Sequence, residues 1–255
     1  MDDVVLWHFP ISHFNEKVRW TLDLKRIPHR RQALGPDYLL KAWWATGRGT
    51  LPVLHIGRRA IGDSTRIIAA LEELVPEPPV YPRDETARRR ALALEDWLDE
   101  EFGPAVRSAL VGTLFMSDDT VSAVDVLTTG MPPSAGRFIR PVFPAFRKFY
   151  FYRHRIDAEK AEGYRRTVLD GMDRLARERG ERDYLVGDAF TVADLTAAAM
   201  LGAVVQPPEM QYPPAVPYPP VLAEFHRAVL GHPMAAWATE MYRRHRGTSA
   251  ESQAR

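Results

Sequence analysis

Two short groups of residues could together hold an extended peptide that ends in a carboxylate. Leu51-Pro52 begins a short apolar run, and a proline at the start of a strand cannot donate a hydrogen bond to a sheet. If that peptide bond is cis, the backbone of Leu51 is left free to pair with a ligand. Asp63-Ser64 opens a segment with helical spacing, where unpaired N–H groups and the positive end of the helix dipole favour an anion. The two groups predict a peptide-binding site with an anion-binding end.

The segments that must position these groups alternate between strand and helix patterns. Residues 4–9 are rich in β-forming side chains, and Ser12 then stands as a candidate N-cap before a pattern that places Val18 and Leu22 on one face. The predicted strands are 4–9, 29–34, 53–56 and 59–61, and the predicted helices begin at Ser12, at residue 37 and at Ser64. The order βαβαββα predicts an α/β domain over residues 1–76.

A proline-rich stretch separates this segment from a purely helical one. Four prolines fall within residues 76–82, which is typical of a semi-rigid linker, and we set the linker at 77–84. The region 85–246 carries helical spacing over residues 86–114, 137–155, 158–179, 191–205, 220–232 and 234–244. Residues 191–205 form its most apolar helix, with Thr191 and Asp194 as a capping box. Residues 247–255 form a polar tail that we expect to be disordered. The chain is therefore expected to hold an α/β domain followed by an all-α domain.

Two segments of the helical part resist interpretation. Residues 112–136 have weak periodicity, and a loop of that length is usually functional. Residues 206–220 hold seven prolines, which suits either a rigid loop between helices or a PxxP ligand for a partner domain.

Composition excludes several classes of function. With a formal net charge of +1, the chain has no field of one sign that would favour nucleic acid. The chain has no cysteine, which removes disulfides, thiolate metal sites and a cysteine nucleophile, and its eight histidines are scattered, so we expect no metal site. The acidic start lacks the pattern of a signal peptide, and the apolar stretch at 195–205 is about half of the roughly 20 residues that span a bilayer. We expect a cytoplasmic protein without membrane insertion.

Four motifs in order along the chain resemble those of the soluble glutathione transferases, serine type. The motifs are Phe9-Pro10-x-Ser12-x-Phe14-x-x-Lys17-Val18-Arg19-x-x-Leu22, Gly49-Thr50-Leu51-Pro52-Val53-Leu54, Asp63-Ser64-x-x-Ile67 and Gly187-Asp188-x-x-Thr191-x-Ala193-Asp194. The resemblance covers nearly the whole chain. It implies a thioredoxin-like N-terminal domain that binds glutathione, an all-α C-terminal domain that forms the acceptor-substrate site, and a homodimer.

The resemblance also implies roles for individual residues. Ser12 matches the serine whose hydroxyl hydrogen-bonds the glutathione thiolate, and Leu51 and Pro52 match the cis-proline turn that pairs with the cysteinyl part. Asp63 and Ser64 match the pair that holds the γ-glutamyl group. A free thiol titrates at roughly 8.5, so a hydroxyl donor beside a helix N-terminus would favour the charged sulfur at neutral pH. The alternative for Ser12, and for Ser64, is a helix cap.

Several positions depart from the family pattern and open further candidates. His8 stands where tyrosine-type members place their tyrosine, and it could donate to the thiol or pack at a strand end. His13 and Phe14 follow Ser12 and are candidates to line the same pocket. Thr50 replaces a common lysine or glutamine, so Lys41 or Arg48 would have to contact the far carboxylate of glutathione.

The resemblance predicts a glutathione S-transferase that detoxifies a small hydrophobic electrophile. Candidates for its acceptor pocket come from the first helix of the second domain and are Phe102, Val106, Leu110, Phe115 and Met116. Two alternatives remain open from the sequence: a glutathione-dependent isomerase or dehalogenase on the same fold, and a non-catalytic binding or interaction protein that kept the fold.

Overall fold

A computed structural model describes residues 3–35, 37–154, 157–214, 218 and 220–252 of the chain. Its N-terminal part is a four-stranded sheet with the strand order β2-β1-β3-β4. The strands are β1 (Val4–His8), β2 (Arg30–Ala33), β3 (Val53–Ile56) and β4 (Arg59–Gly62). β1 pairs with β2 in parallel and with β3 antiparallel, and β3 and β4 form an antiparallel hairpin.

Three helices complete this part. They are α1 (His13–Leu24), α2 (Tyr38–Thr46) and α3 (Ser64–Leu74). α1 and α3 bury apolar residues against the sheet, with Val18 and Ile67 packing in one cluster with Leu6 and Leu54. α2 buries only Ala42.

The rest of the described chain is helical. Its α-helices are α4 (Glu85–Trp97), α5 (Gly103–Arg107), α6 (Thr113–Met116), α7 (Thr120–Leu127), α8 (Ala135–Ile139), α9 (Phe143–His154), α10 (Ala158–Arg179), α11 (Val192–Val205), α12 (Ala223–Leu230) and α13 (Pro233–His245). α4, α5 and α6 form one continuous helical stretch because two π-helical segments, Leu98–Phe102 and Ser108–Gly112, join them. The fold is a thioredoxin-like α/β part followed by an all-α part, as the sequence predicts.

α11 lies at the centre of the helical part. All of its residues are buried, because it packs against α4, α5, α12 and α13 as well as against α1 of the sheet domain. The predicted capping box is present: Thr191 accepts from the N3 backbone, and Asp194 accepts from the backbone N–H of Thr191 at 2.9 Å. The helix start is therefore satisfied although it lies away from water.

The polar tail behaves differently from the expected disorder as far as Ser252. The backbone N–H of Ala250 donates to Asp23 at 2.8 Å, and the backbone N–H of Ser252 donates to the carbonyl of His29 at 2.8 Å. The tail is ordered there because its backbone polar groups find partners on α1 and at the start of β2. Residues 253–255 lie outside the described part, and the domain limits 1–76, 77–84 and 85–246 stay predictions.

In the described part of the chain, no helix is long and apolar enough to cross a membrane.

Candidate functional site

The segments predicted to hold a peptide leave the sheet at the same end. Trp7 of β1 pairs with Val53 of β3, and Val53 pairs with Gly62 of β4. Because β1 runs antiparallel to β3, the end of β1, the start of β3 and the end of β4 meet at one end of the sheet. Ser12, Leu51-Pro52 and Asp63-Ser64 follow or precede these strands at that end, so the topology brings the three groups together.

Ser12 occupies the N-cap position of α1 without using its side chain as a cap. Its backbone is extended, with φ −79° and ψ 125°, and its hydroxyl makes no capping hydrogen bond to the helix. The carbonyl of Ser12 accepts the first helical bonds, from Asn15 N at 3.1 Å and Glu16 N at 2.9 Å. Ser12 lines a cavity beside the positive end of the helix, and its hydroxyl is not used as a cap.

The Leu51–Pro52 peptide bond is cis. Leu51, Thr50 and Gly49 line the same cavity as Ser12. Pro52 is buried beneath them. The cis-proline turn and the start of α1 therefore line one cavity.

Asp63 and Ser64 lie at the neighbouring strand end and do not line this cavity among the described residues. Asp63 has a φ of 80°, an uncommon conformation for a residue with a side chain, and it caps α3 by accepting from Arg66 N at 3.3 Å. Arg48 pairs with its carboxylate at 3.1 Å. Ser64 is buried at the first position of α3. The helix start is thus held in a strained turn, which is common at ligand sites.

The cavity has a volume of about 210 Å³ and lies between the sheet edge and the helical part. The N-terminal part contributes Phe9, Ser12, His13, Phe14 and Tyr38 together with the turn at 49–51. The helical part supplies the opposite wall, which is mostly apolar. Its apolar residues are Leu110, Val111, Leu114, Phe115, Val126, Leu127, Phe146, Ala203, Met210 and Leu222. A polar group on one side therefore faces an apolar pocket on the other.

Two of the five residues predicted for the acceptor pocket line it, namely Leu110 and Phe115. The other three do not line it: Phe102 and Val106 are buried in the core of the helical part, where Phe102 packs against the backbone of Gly171, and Met116 also lies off the cavity. The reason is which face of the helix each residue occupies. The cavity face carries residues 107, 110, 111, 114 and 115, which are three or four positions apart, whereas Phe102 and Val106 lie on a face that packs into the core.

Most polar residues that the helical part contributes to the cavity were not predicted from the sequence. Arg107 of α5 lies there with Tyr150, Arg153 and His154 of α9. The proline-rich loop also contributes Met210, Tyr212, Pro214 and Tyr218, while residues 215–217 and 219 lie outside the described part. The spacing of three and four residues from Arg107 to Leu110 and Val111 was a usable signal. No comparable signal marks α9, which is aromatic on every side.

Burial and Arg107 set the protonation of the cavity wall. Burial first, and the nearby guanidinium of Arg107 second, lower the pKa of His13 to about 3, although a hydrogen bond to the Gly103 backbone opposes both effects. Burial and the charges of Arg107 and Arg153 lower the pKa of His154 to about 4. Burial raises the pKa of the Tyr150 phenol to about 12. Both histidines and the phenol are therefore neutral at pH 7.

The remaining candidates lie away from the cavity. His8 is buried under the sheet, where its Nδ1 lies 3.0 Å from a guanidinium nitrogen of Arg19, and burial lowers its pKa to about 2. Lys41 is exposed and pairs with Asp37 at 2.6 Å. Arg48 is occupied by Asp63, as described above. His8 thus packs at a strand end, which was one of its two predicted roles.

No group of three or more His, Cys, Asp or Glu side chains that could hold a metal ion occurs in the part of the chain that the structure describes.

Family models match both parts of the chain. The model for the N-terminal domain of glutathione S-transferase matches residues 6–79, and the model for the C-terminal domain matches residues 157–228. The two matches together take in more than half of the chain and lie on the two parts of the fold.

Individual proteins are similar over most of the chain. FtsZ-localized protein A of Caulobacter vibrioides is 26% identical over 208 residues, which is 78% of this chain and 76% of that protein. A glutathione S-transferase from Methylobacterium radiotolerans, solved in complex with glutathione sulfonate, has a TM-score of 0.60 at 23% identity and covers 99% of this chain and 97% of its own. The β-etherase LigF from Sphingobium sp. has a TM-score of 0.59 at 20% identity and covers 94% and 98%. These structures share the fold, and together with the two domain matches they show that the chain belongs to the glutathione S-transferase family.

Proposed function

We propose that this protein is a glutathione transferase in which Ser12 stabilises the thiolate of glutathione for attack on a small hydrophobic electrophile. One observation carries the proposal. Ser12 makes no side-chain cap and lines a cavity that Leu51 also lines and whose opposite wall is mostly apolar. A thiol held between Ser12 and Leu51 would face an apolar acceptor directly.

The chain's own groups support the required chemistry. Glutathione supplies the nucleophilic sulfur, whose thiol would titrate near roughly 8.5 in water. The hydroxyl of Ser12 would donate to the thiolate, and the first N–H groups of α1 would add their positive partial charge. The sulfur then forms a bond to the electrophilic carbon, and the leaving group departs with its electron pair.

The ends of the glutathione site are part of the same proposal. Asp63 and Ser64 would hold the γ-glutamyl group at the start of α3, next to the turn of Leu51 and Pro52. Lys41 and Arg48 are weaker candidates for the far carboxylate because each already pairs with an aspartate, at 2.6 and 3.1 Å. Arg153 is better placed, since its guanidinium approaches the carbonyl of Gly49 at 3.5 Å.

The test is Ser12→Ala in conjugation of glutathione with 1-chloro-2,4-dinitrobenzene. We expect kcat/KM to fall at least tenfold, because the thiolate loses its hydroxyl donor. Ser134→Ala is a matched control: Ser134 is also an N-cap serine without a side-chain cap, but it lies outside the cavity. Full activity in Ser12→Ala would exclude the role of Ser12.

A second candidate is a binding or interaction protein that kept the fold, which the similarity to FtsZ-localized protein A supports. Thermal unfolding with millimolar glutathione separates the two. Ligand at a hundredfold over Kd stabilises a protein by about 2.7 kcal/mol, so a glutathione transferase should show a clear rise in Tm. An absent rise would favour the second candidate, whereas product analysis would distinguish conjugation from an isomerase or dehalogenase reaction.

We further propose a homodimer in the cytoplasm with a role in detoxification. The family membership supports the dimer, and light scattering of the purified protein measures it.

A further inference from the structure

We propose that the acceptor electrophile carries an ionised carboxylate on an aromatic body, and that Arg107 binds this carboxylate. The inference rests on the proposed function and names the substrate class for the same cavity. It makes the acceptor an amphipathic acid instead of a neutral hydrophobic compound.

The charge of the cavity wall is the first argument. Its described lining contains two arginines, Arg107 and Arg153, and neither aspartate nor glutamate. Because the two histidines of the wall are neutral at pH 7, the arginines alone set the sign of the charge. An apolar pocket with uncompensated positive charge favours a ligand that is apolar over most of its surface and anionic at one point.

Arg107 itself is incompletely partnered. Its Nε is buried without a hydrogen-bond partner, and it forms no salt bridge with any carboxylate in the described part of the chain. The buried hydroxyl of Tyr150 lies beside the Arg107 guanidinium and interacts with it. Unmade hydrogen bonds of buried groups cost free energy, and a carboxylate could accept from both a guanidinium and a phenol.

The position of Arg107 assigns the carboxylate to the acceptor and not to glutathione. Arg107 precedes Leu110 and Val111 by three and four residues, so it shares their face on the apolar wall. Its charge acts on His13, Tyr38, Tyr150 and His154, which places it among the rings that surround the pocket. Arg153, by contrast, reaches the turn at Gly49 that would hold the thiol peptide.

The volume agrees with one substituted ring. An apolar cavity of about 150 Å³ is known to hold benzene, and the cavity here measures about 210 Å³. A benzoate ring with its carboxylate at Arg107 would leave its far carbons toward the side of Ser12.

A binding experiment tests the proposal without requiring catalysis. The probes are unreactive 3,5-dinitrobenzoate and its neutral amide, with Kd measured by calorimetry in the presence and absence of glutathione. We expect the full chain to bind the benzoate at least tenfold more tightly than the amide. Arg107→Met should abolish this preference and Arg107→Lys should retain part of it, because lysine keeps the charge but not the fork geometry. Arg166→Met, at an exposed arginine of α10, is the matched control.

Turnover provides the second measurement. 4-Chloro-3,5-dinitrobenzoate and its amide both lose chloride to a thiolate, and the enzymatic rates are divided by the uncatalysed ones. In Arg107→Met the ratio of kcat/KM between acid and amide should fall at least tenfold, whereas in Arg166→Met this ratio should stay within about twofold of wild type. If Arg107→Met does not fold, Arg107→Gln takes its place.

Each outcome bears on one proposal. Equal affinity of the wild-type protein for benzoate and amide would overturn the anion site, as would a preference that survives Arg107→Met. A higher KM for glutathione with an unchanged acid-to-amide ratio would assign Arg107 to the thiol peptide and overturn the proposal too. Binding of the benzoate without conjugation of either chloro compound would instead contradict the transferase function and leave the anion site standing.

Discussion

His13 is a neutral side chain in the wall of the cavity at neutral pH. The residue begins α1, directly after Ser12, and it is buried with its Nε2 unpartnered. Burial first, and the charge of Arg107 second, lower its pKa to about 3. A protonated His13 would add a second positive charge beside Arg107, so the site is built around a neutral imidazole. We therefore expect the pH dependence of kcat/KM to show no titration of His13 above about pH 5.

The same shift predicts how stability changes with pH. The folded pKa of His13 lies below its ordinary value of about 6.5, so the unfolded chain binds a proton that the folded chain does not. The contribution of neutral His13 to the free energy of unfolding is therefore fully present above about pH 6.5 and is lost as the pH falls toward 3. In His13→Gln, the fall in the free energy of unfolding between about pH 6 and pH 5 should be smaller by about 1 kcal/mol. Urea denaturation at each pH measures it, and the wild-type and variant curves should run parallel above about pH 8. Equal slopes below pH 6 would contradict the assignment.

At the scale of the element, the start of α11 is a small polar system inside an apolar core. Asp194 is fully buried and accepts from Leu185 N at 2.7 Å, from Thr191 N at 2.9 Å and from the Thr191 hydroxyl at 3.0 Å. Its burial raises the pKa of the carboxyl to about 6. One side chain thus links the preceding loop to α11, the central helix of the helical part.

We expect Asp194→Ala to destabilise the protein by about 3 kcal/mol or more, because it leaves two backbone N–H groups buried without acceptors. Asp119→Ala is the matched control. Asp119 also caps a helix, α7, by accepting from Ser122 N at 3.0 Å, but it is exposed, and its loss should cost about 1 kcal/mol. Chemical denaturation of both variants gives the comparison. A similar cost for the two would mean that water replaces the lost acceptor at α11.

Local signals explain which elements could be predicted from the sequence. The β1–α1 turn, the β3–β4 hairpin and the capping box of α11 each depend on residues a few positions apart, such as Thr191 and Asp194, and the structure contains all three. The continuous helix from α4 to α6 was also predictable as a helix. Which of its faces lines the cavity was not predictable, because apolar residues occupy both the core face, with Phe102 and Val106, and the cavity face, with Leu110 and Leu114.

The polar half of the cavity was harder to predict because it depends on distant parts of the chain. Arg107 meets Tyr150 and His154 only once α5 and α9 have packed. The sequence of α9, with six aromatic residues from Phe143 to Tyr152, has no single apolar face that would show which side lines the pocket. Short motifs therefore predict the cavity residues of the α/β part, whereas only tertiary packing brings together those of the helical part.

At the scale of the whole molecule, buried ion pairs connect the sheet domain to the helices. Lys17 of α1 is completely buried and lies 2.7 Å from both Glu95 and Asp99 of the helical stretch that begins with α4. At the other end of the chain, Arg246 contacts Glu16 at 2.6 Å and Asp23 at 2.9 Å. α1, which carries Ser12 at its start, is therefore held by charges from both ends of the helical part.

The Lys17 pair gives a test of how strongly the two parts depend on each other. Burial raises the pKa of Glu95, and the charge of Lys17 is the main force that lowers it again. Lys17→Met would leave Glu95 buried without its cation, and removing one member of a buried pair costs about 3–5 kcal/mol. Lys17→Met/Glu95→Gln should recover much of this loss, because the charge of the fully buried Glu95 is gone and the carboxylate that remains, Asp99, is partly exposed.

Urea unfolding of the single and double variants measures the coupling, with fluorescence and circular dichroism followed together. Arg90→Met is the control: its pair with Glu178, at 2.9 Å, is partly exposed and should contribute at most about 1 kcal/mol. We expect coincident transitions for the wild type, and for Lys17→Met a transition in which the two probes separate, because the sheet domain loses its tie to α4. If Lys17→Met costs no more than Arg90→Met, the apolar contacts between α1 and α11 hold the two parts together without the charges.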